Sequence, residues 1–178
     1  IEGQYNLVYN QMFSDDKEVK AVAANTLKDV STDKNLPDLF TLLEQSETEY
    51  VPAIQQAINA ALKKLPNNEQ IEIVTDRINK SANKHLYYSA LAGIGSSDAI
   101  DKITNAYKNE SGSNKDAAFD ALSNINSFHV IYPMLDIVRS SNNKQEIEKV
   151  TDAIIDVVSR SNETGAIKYL YLREAMEF

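Results

Sequence analysis

The stretch AGIGSSDAI, residues 92–100, contains residue types that could bind a phosphate. Gly93 and Gly95 are one residue apart and are followed by two serines and by the apparent start of a helix. Backbone N–H groups that converge at a helix start bind phosphate, usually after a strand, and in P-loops a lysine follows. Here the preceding residues read as a helix, and no such lysine follows. We therefore expect a turn in which Gly95 ends one helix and Ser97 or its neighbour starts the next.

Other catalytic patterns are weak. His85 and His129 are the only histidines, and their spacing is not the i, i+4 spacing of a two-histidine metal site. There is no cysteine to act as a nucleophile or a metal ligand. The serines lie outside any Gly-x-Ser-x-Gly motif, and no pair of carboxylates is singled out for acid–base work. The sequence predicts no catalytic residue, metal ligand or cofactor, and therefore no enzyme activity in this chain.

The charge balance narrows the range of partners. The 178 residues include 26 Asp and Glu against 18 Lys and Arg, which gives a formal net charge of -8. Such a chain repels polyanions, so nucleic acid is not an expected partner. No apolar run approaches the roughly 20 residues that a membrane span needs. Because the chain starts at Ile1 and stops within an apparent helix, we expect it to be an excerpt of a longer protein.

A repeat organises the sequence. Four copies share an apolar anchor that is followed by apolar residues at +3, +9, +12 and +16, and the anchors are Leu27, Leu62, Leu91 and Leu122. A fifth copy starts at Ile154, but its register slips through RSNETGA. Positions +9, +12 and +16 share one face of a helix, so each copy predicts two helices joined by a turn. Each pair exposes an apolar stripe that stacking would bury.

The predicted fold is therefore all-α, an α–α superhelix or solenoid of about five stacked helix pairs. One domain is expected over 1–178, with units at roughly 1–15 (partial), 16–47, 48–81, 82–111, 112–142 and 143–178. Helices are predicted near 5–13, 17–29, 36–46, 51–64, 69–80, 84–93, 98–109, 115–124, 130–140, 144–159 and 165–177. Three pairs have the spacing of an N-cap and its third-residue acid: Asp15 with Glu18, Ser113 with Asp116, and Asn143 with Glu146.

The segments ALKKLPNNEQIEIVTDRI, ALAGIGSSDAIDKITNAY and ALSNINSFHVIYPMLDIV resemble HEAT repeats, in particular the short bacterial kind. The resemblance covers nearly all of 16–178. It implies stacked helix pairs that serve as scaffolds, adaptors or regulatory appendages. The Asp and Arg that often form a ladder between HEAT units are missing at the matching turn positions. Armadillo-type and other helical-pair solenoids remain alternatives.

The second helices carry the candidate binding residues, because in this architecture they usually line the concave face. Positions +10 and +14 form a mildly acidic strip with one aromatic side chain, and its members are Glu72, Asp76, Asp101, Asn105, Tyr132 and Asp136. Acids at helix starts and bases at helix ends are also what the helix dipole favours, so the strip has a purely structural explanation as well. Tyr87 and Tyr88 are expected to pack between helices.

These patterns lead to two functional hypotheses. The first is a non-enzymatic protein-interaction or scaffold module whose partner is another protein or a neighbouring domain of the same chain. The alternative is an accessory HEAT-like region of a larger exported bacterial enzyme, such as a carbohydrate-active hydrolase. A third class comprises enzymatic or DNA-directed HEAT-like proteins, such as those that resemble phycobilin lyases or alkylpurine glycosylases. The glycosylase-like members would need a basic concave face with aromatic residues, whereas this chain is acidic and has no Trp. The compartment stays open, with an Asn-, Ser- and Lys-rich composition that is compatible with export.

Overall fold

The computed structural model describes residues 2–177. Within this range the chain is all-α and has no strand. Its helices are α1 Glu2–Gln11, α2 Lys17–Val30, α3 Leu36–Gln45, α4 Val51–Leu62, α5 Asn67–Lys80, α6 Tyr88–Ile94, α7 Ser97–Asn109, α8 Gly112–Ser123, α9 Ile131–Ser140, α10 Lys144–Arg160 and α11 Gly165–Ala175. Short 3-10 segments precede three of them, at Asp33–Asn35, Lys84–Leu86 and Phe128–Val130. None of the described helices is long and apolar enough to cross a membrane.

The predicted fold class, an all-α array of helices that pack consecutively, is confirmed. The described residues divide into two compact units, of which the first ends at Ala90 and the second begins at Leu91. In the N-terminal unit, α1 packs on α2, and α4 packs against both α2 and α3. The Gln55 side-chain amide of α4 donates a hydrogen bond of 2.8 Å to the Leu86 carbonyl oxygen. Helix α5 contacts the same 3-10 segment, Lys84–Leu86.

The C-terminal unit has two layers. Helices α7 and α9, both second helices of the repeat, lie beside each other, and α8 lies beside α10. The most extensive contacts run between the layers, from α7 to α8 and from α9 to α10, and α11 packs on α10. Ala118 and Ala121 on the buried side of α8 are small enough to let these helices approach closely. The result is that α7 and α9, two consecutive second helices, lie side by side in one layer.

The repeat positions explain the core. All five anchors are at most 1% exposed: Leu27, Leu62, Leu91, Leu122 and Ile154. The +12 residues of the four full copies are also completely buried: Leu39, Val74, Ile103 and Met134. Burying a large aliphatic side chain stabilises a fold by about 1.5–3 kcal/mol, so each of these positions contributes substantially to the stability of its helix pair. The predicted packing role of Tyr87 and Tyr88 is confirmed, since both are buried.

Two of the three predicted helix caps are wrong in position. Asp16, not Asp15, caps α2 and accepts hydrogen bonds from the backbone N–H groups of Glu18 and Val19. Helix α8 starts at Gly112, before the predicted Ser113 cap, because Gly112 adopts a φ of +56° that lets the chain turn into the helix earlier. Asn143 is confirmed as the cap of α10.

Candidate functional site

The chain turns at Gly95 and Ser96, as predicted, while Gly93 lies in the last turn of α6. Gly95 has a φ of +66°, and its N–H donates a hydrogen bond of 3.3 Å to the Leu91 carbonyl oxygen, which ends α6. Ser96, the neighbour of Ser97, caps α7 by accepting a hydrogen bond from the Ala99 N–H. The end of α6 and the start of α7 are thus capped by the chain itself, and the positive φ of Gly95 explains the glycine at that position.

The histidines lie in two separate 3-10 segments. His85 is in Lys84–Leu86, and His129 is in Phe128–Val130, where its ring stacks on Phe128 with the ring centroids 4.8 Å apart. Across residues 2–177 there is no group of three or more His, Cys, Asp or Glu side chains that could hold a metal ion.

All six predicted binding residues are exposed to solvent. Glu72 and Asp76 lie on α5 of the N-terminal unit. The remaining four lie in the C-terminal unit, on α7 (Asp101 and Asn105) and on α9 (Tyr132 and Asp136). Because α7 and α9 are neighbours, these four residues belong to one surface, which we call the second-helix face.

Part of the predicted acidity is balanced within the helices. The Asp76 carboxylate pairs with Lys80 at 2.7 Å, and that of Asp136 pairs with Arg139 at 3.1 Å. Both are exposed pairs within one helix turn, which contribute only a few tenths of a kcal/mol each. They reduce the local negative charge without removing the carboxylates from the surface. Asp101 and Tyr132 are therefore the stronger candidates for direct partner contact.

Tyr132 forms one wall of a groove of about 570 Å³ between α9 and α11. Its ring meets that of Tyr171 edge to face, with the centroids 5.6 Å apart, and Tyr171 lies 6.3 Å from the ring of Phe128. Burial, followed by the hydrogen bond to the Tyr132 hydroxyl, raises the pKa of Tyr171 to about 12. We call this site the aromatic groove; it is lined by Phe128, Tyr132, Ile167, Leu170, Tyr171, Arg173, Glu174 and Glu177.

An ion pair holds the two sides of the aromatic groove together. The Arg139 guanidinium on α9 contacts the carboxylates of Glu174 on α11 and of Asp136 on its own helix. Two contacts, one aromatic and one ionic, thus fix α11 against α9. The sequence pattern missed the contribution of α11, because the fifth repeat copy slips out of register in RSNETGA before α11 begins.

A second polar cluster, the Glu146 network, is partly buried in the C-terminal unit. The Glu146 carboxylate accepts hydrogen bonds from Lys115 Nζ at 2.8 Å, from the Tyr107 hydroxyl at 2.8 Å and from the Ser141 hydroxyl at 2.6 Å. These donors, Lys115 first, lower the pKa of Glu146 to about 2. A carboxylate so weakly basic is a poor proton acceptor at neutral pH. The network is suited to holding helices together.

The N-terminal unit contains a similar arrangement. The Tyr87 hydroxyl donates a hydrogen bond of 2.5 Å to Glu44, which also accepts a hydrogen bond from Ser81. Ser81 and Ser141 each directly follow a second helix and lie at +19 from the anchor of their repeat copy. Each is the first residue of a Ser-x-Asn sequence, at 81–83 and at 141–143. That shared Ser-x-Asn is the signal by which the two networks could have been found from the sequence.

No protein-family model and no curated protein matches this chain. The site is accordingly interpreted from its own geometry.

Proposed function

We propose that the chain is a HEAT-like helical array that works as a protein-interaction or scaffold module. Its partner binds to the second-helix face of the C-terminal unit, with the aromatic groove at the centre of the contact. Binding is its activity, and the chain itself catalyses no reaction. The observation that carries the proposal is the position of Tyr132, which is 55% exposed and lines a groove within the layer of second helices.

The chemistry of this surface defines the partner segment. Rigid aromatic side chains at the wall of a groove are the groups that most often dominate binding energy in protein interfaces. An apolar side chain of the partner would fill the groove against Tyr132 and Tyr171. The carboxylates of Asp101 and Asp136 would attract basic residues on either side of that anchor and speed association at low salt. The expected partner is a segment with an apolar anchor and flanking Lys or Arg.

A quantitative affinity capture tests the proposal. The wild-type chain, Tyr132→Ala and Asp120→Ala are immobilised separately. Each is exposed to an extract of the cells that naturally make the protein, and the retained proteins are compared by mass spectrometry. Asp120 is exposed on α8, in the other layer, and is the matched control. We expect a partner that is retained by the wild type and by Asp120→Ala, and at least about tenfold less by Tyr132→Ala.

Equal retention by Tyr132→Ala and the wild type would contradict the proposal. The unfolding temperatures of the three proteins serve as the control for folding. Tyr132 is more than half exposed, but its ring contact with Tyr171 also helps to hold α11 against α9. Repeating the capture at about 0.5 M salt should weaken retention, because the Debye length falls and the carboxylates are screened.

A further inference from the structure

Each unit exposes a further apolar surface. The first is a groove of about 610 Å³ between α1 and α2 in the N-terminal unit. Leu7 is 69% exposed and Val22 is 67% exposed, although both are aliphatic side chains. The groove is lined by Leu7, Val8, Gln11, Glu18, Val19, Val22, Ala23 and Thr26. Exposed apolar surface that is concentrated in this way marks an interaction site more often than scattered apolar residues do.

The second apolar surface is the exposed side of α11 in the C-terminal unit, and it adjoins the aromatic groove, which Leu170 and Arg173 also line. Tyr169 is 62% exposed, Leu170 is 53% exposed and Met176 is 78% exposed. Tyr169 and Arg173 on α11, and Met176 directly after its last residue, are spaced i, i+4 and i+7, so they form one narrow stripe. We call this stripe the α11 stripe. It is an amphipathic helix face with a single cation, Arg173, in its middle.

The groove and the α11 stripe match each other in charge and spacing. Glu18 lines the groove and Arg173 lies in the stripe, so opposite charges are available for one pair. Val22 follows Glu18 by four residues, and Tyr169 precedes Arg173 by four. If α11 ran antiparallel to α2, Arg173 would face Glu18 and Tyr169 would face Val22 at the same time.

We propose that the α1–α2 groove of one copy of the chain receives the α11 stripe of a second copy. The contact is heterologous, because two different surfaces meet, and each copy still carries one unused groove and one unused stripe. The occupant is a second copy of this chain because that copy supplies both the apolar stripe and the complementary cation. One helix against a two-helix groove is a small interface, so the association is expected to be in the micromolar range.

Sedimentation velocity of the whole chain, from about 5 to about 500 µM, tests this proposal. The groove variant is Val22→Glu and the stripe variant is Tyr169→Glu. Both residues are mostly exposed and helical, and Glu is a good helix former, so the fold should be retained. Unfolding temperatures check this for each variant. The wild type should associate further as concentration rises, while each variant alone should stay monomeric.

The decisive arm is an equimolar mixture of the two variants. The Val22→Glu chain keeps its stripe and the Tyr169→Glu chain keeps its groove, so the mixture should form a dimer that grows no further. A wild type that is monomeric throughout, or a mixture that stays monomeric while the wild type associates, would overturn the proposal. Association that is lost in Val22→Glu but kept in Tyr169→Glu would also overturn it, because that result would mean that groove pairs with groove.

The Glu18–Arg173 pair is tested by charge reversal. Glu18→Lys and Arg173→Glu should each weaken association by about tenfold, and mixing the two variants should recover it, because opposite charges meet again in both contacts. Failure of the mixture to associate better than either variant alone would exclude this register. Because Arg173 also lines the aromatic groove, the Val22→Glu and Tyr169→Glu variants are the ones that separate this proposal from the proposed function, since neither residue lines that groove.

Discussion

The Glu146 carboxylate is contacted by residues of three other segments of the C-terminal unit. Tyr107 reaches it from α7, Lys115 from α8 and Ser141 from the end of α9. Lys115 Nζ also lies 4.7 Å from the centroid of the Tyr107 ring, so the cation has both a carboxylate and an aromatic face as partners. A single side chain thus connects both layers of the unit, and its charge state should control their stability.

Replacing Glu146 with Gln removes the charge at the centre of the Glu146 network. Because the folded-state pKa of Glu146 is lowered from 4.5 to about 2, the charge stabilises the fold above about pH 4.5, and this stabilisation is lost as the pH falls towards 2. The variant should lose on the order of 1–3 kcal/mol of unfolding free energy at pH 7, after allowance for solvent screening. Chemical denaturation at a series of pH values measures the difference, which should shrink steadily below about pH 4.5.

Glu148→Gln is the matched control for this prediction. Glu148 lies two residues further along α10 and is exposed, so its replacement should change stability little at any pH. A constant difference between Glu146→Gln and the wild type down to pH 2 would show that the carboxylate charge is not what stabilises the network.

At the scale of helices, the apolar repeat predicts most of what is observed. The anchors and the +12 residues are the positions that face the core, and for that reason the alignment locates the helices to within a few residues. The errors of the alignment lie at helix ends, because single residues determine where a helix begins or ends. The prediction placed the sixth helix at 84–93, but the chain forms a 3-10 turn at Lys84–Leu86 before α6 begins at Tyr88. A 3-10 turn and an α-helix have a similar apolar periodicity, so the sequence pattern does not distinguish one from the other.

A second prediction tests the end of α6. Gly95→Ala should cost about 1 kcal/mol, since alanine at a φ of +66° is strained. The added Cβ would lie 3.7 Å from the Ala92 carbonyl oxygen, which is ordinary contact, so the cost comes from the backbone and not from a clash. Gly165→Ala is the control, because Gly165 starts α11 with open space around it and no positive φ. Thermal unfolding should show a larger loss of stability for Gly95→Ala than for Gly165→Ala. Equal losses would contradict a left-handed cap at Gly95.

At the scale of the whole molecule, the all-α class and the order of the helices could be predicted, but the proposed binding surface only in part. The repeat correctly indicated that Asp101, Asn105, Tyr132 and Asp136 are exposed on α7 and α9, because surface positions follow from the helical period. The aromatic groove could not be predicted, since it depends on how α11 packs after an irregular turn. The contact of Arg139 with Glu174 joins residues 35 apart, a distance that local patterns do not report.

The central claim is that the second-helix face of the C-terminal unit is where a partner protein binds. Site-specific photo-crosslinking in the producing cells tests it most directly, with benzoylphenylalanine placed at Tyr132 in one strain and at Asp120 in another. Tyr132 lies in the aromatic groove and Asp120 on the opposite layer, and both are exposed. The account predicts a discrete adduct with a second protein from position 132 and none from position 120. Adducts of equal yield from both positions, or none from position 132, would contradict it.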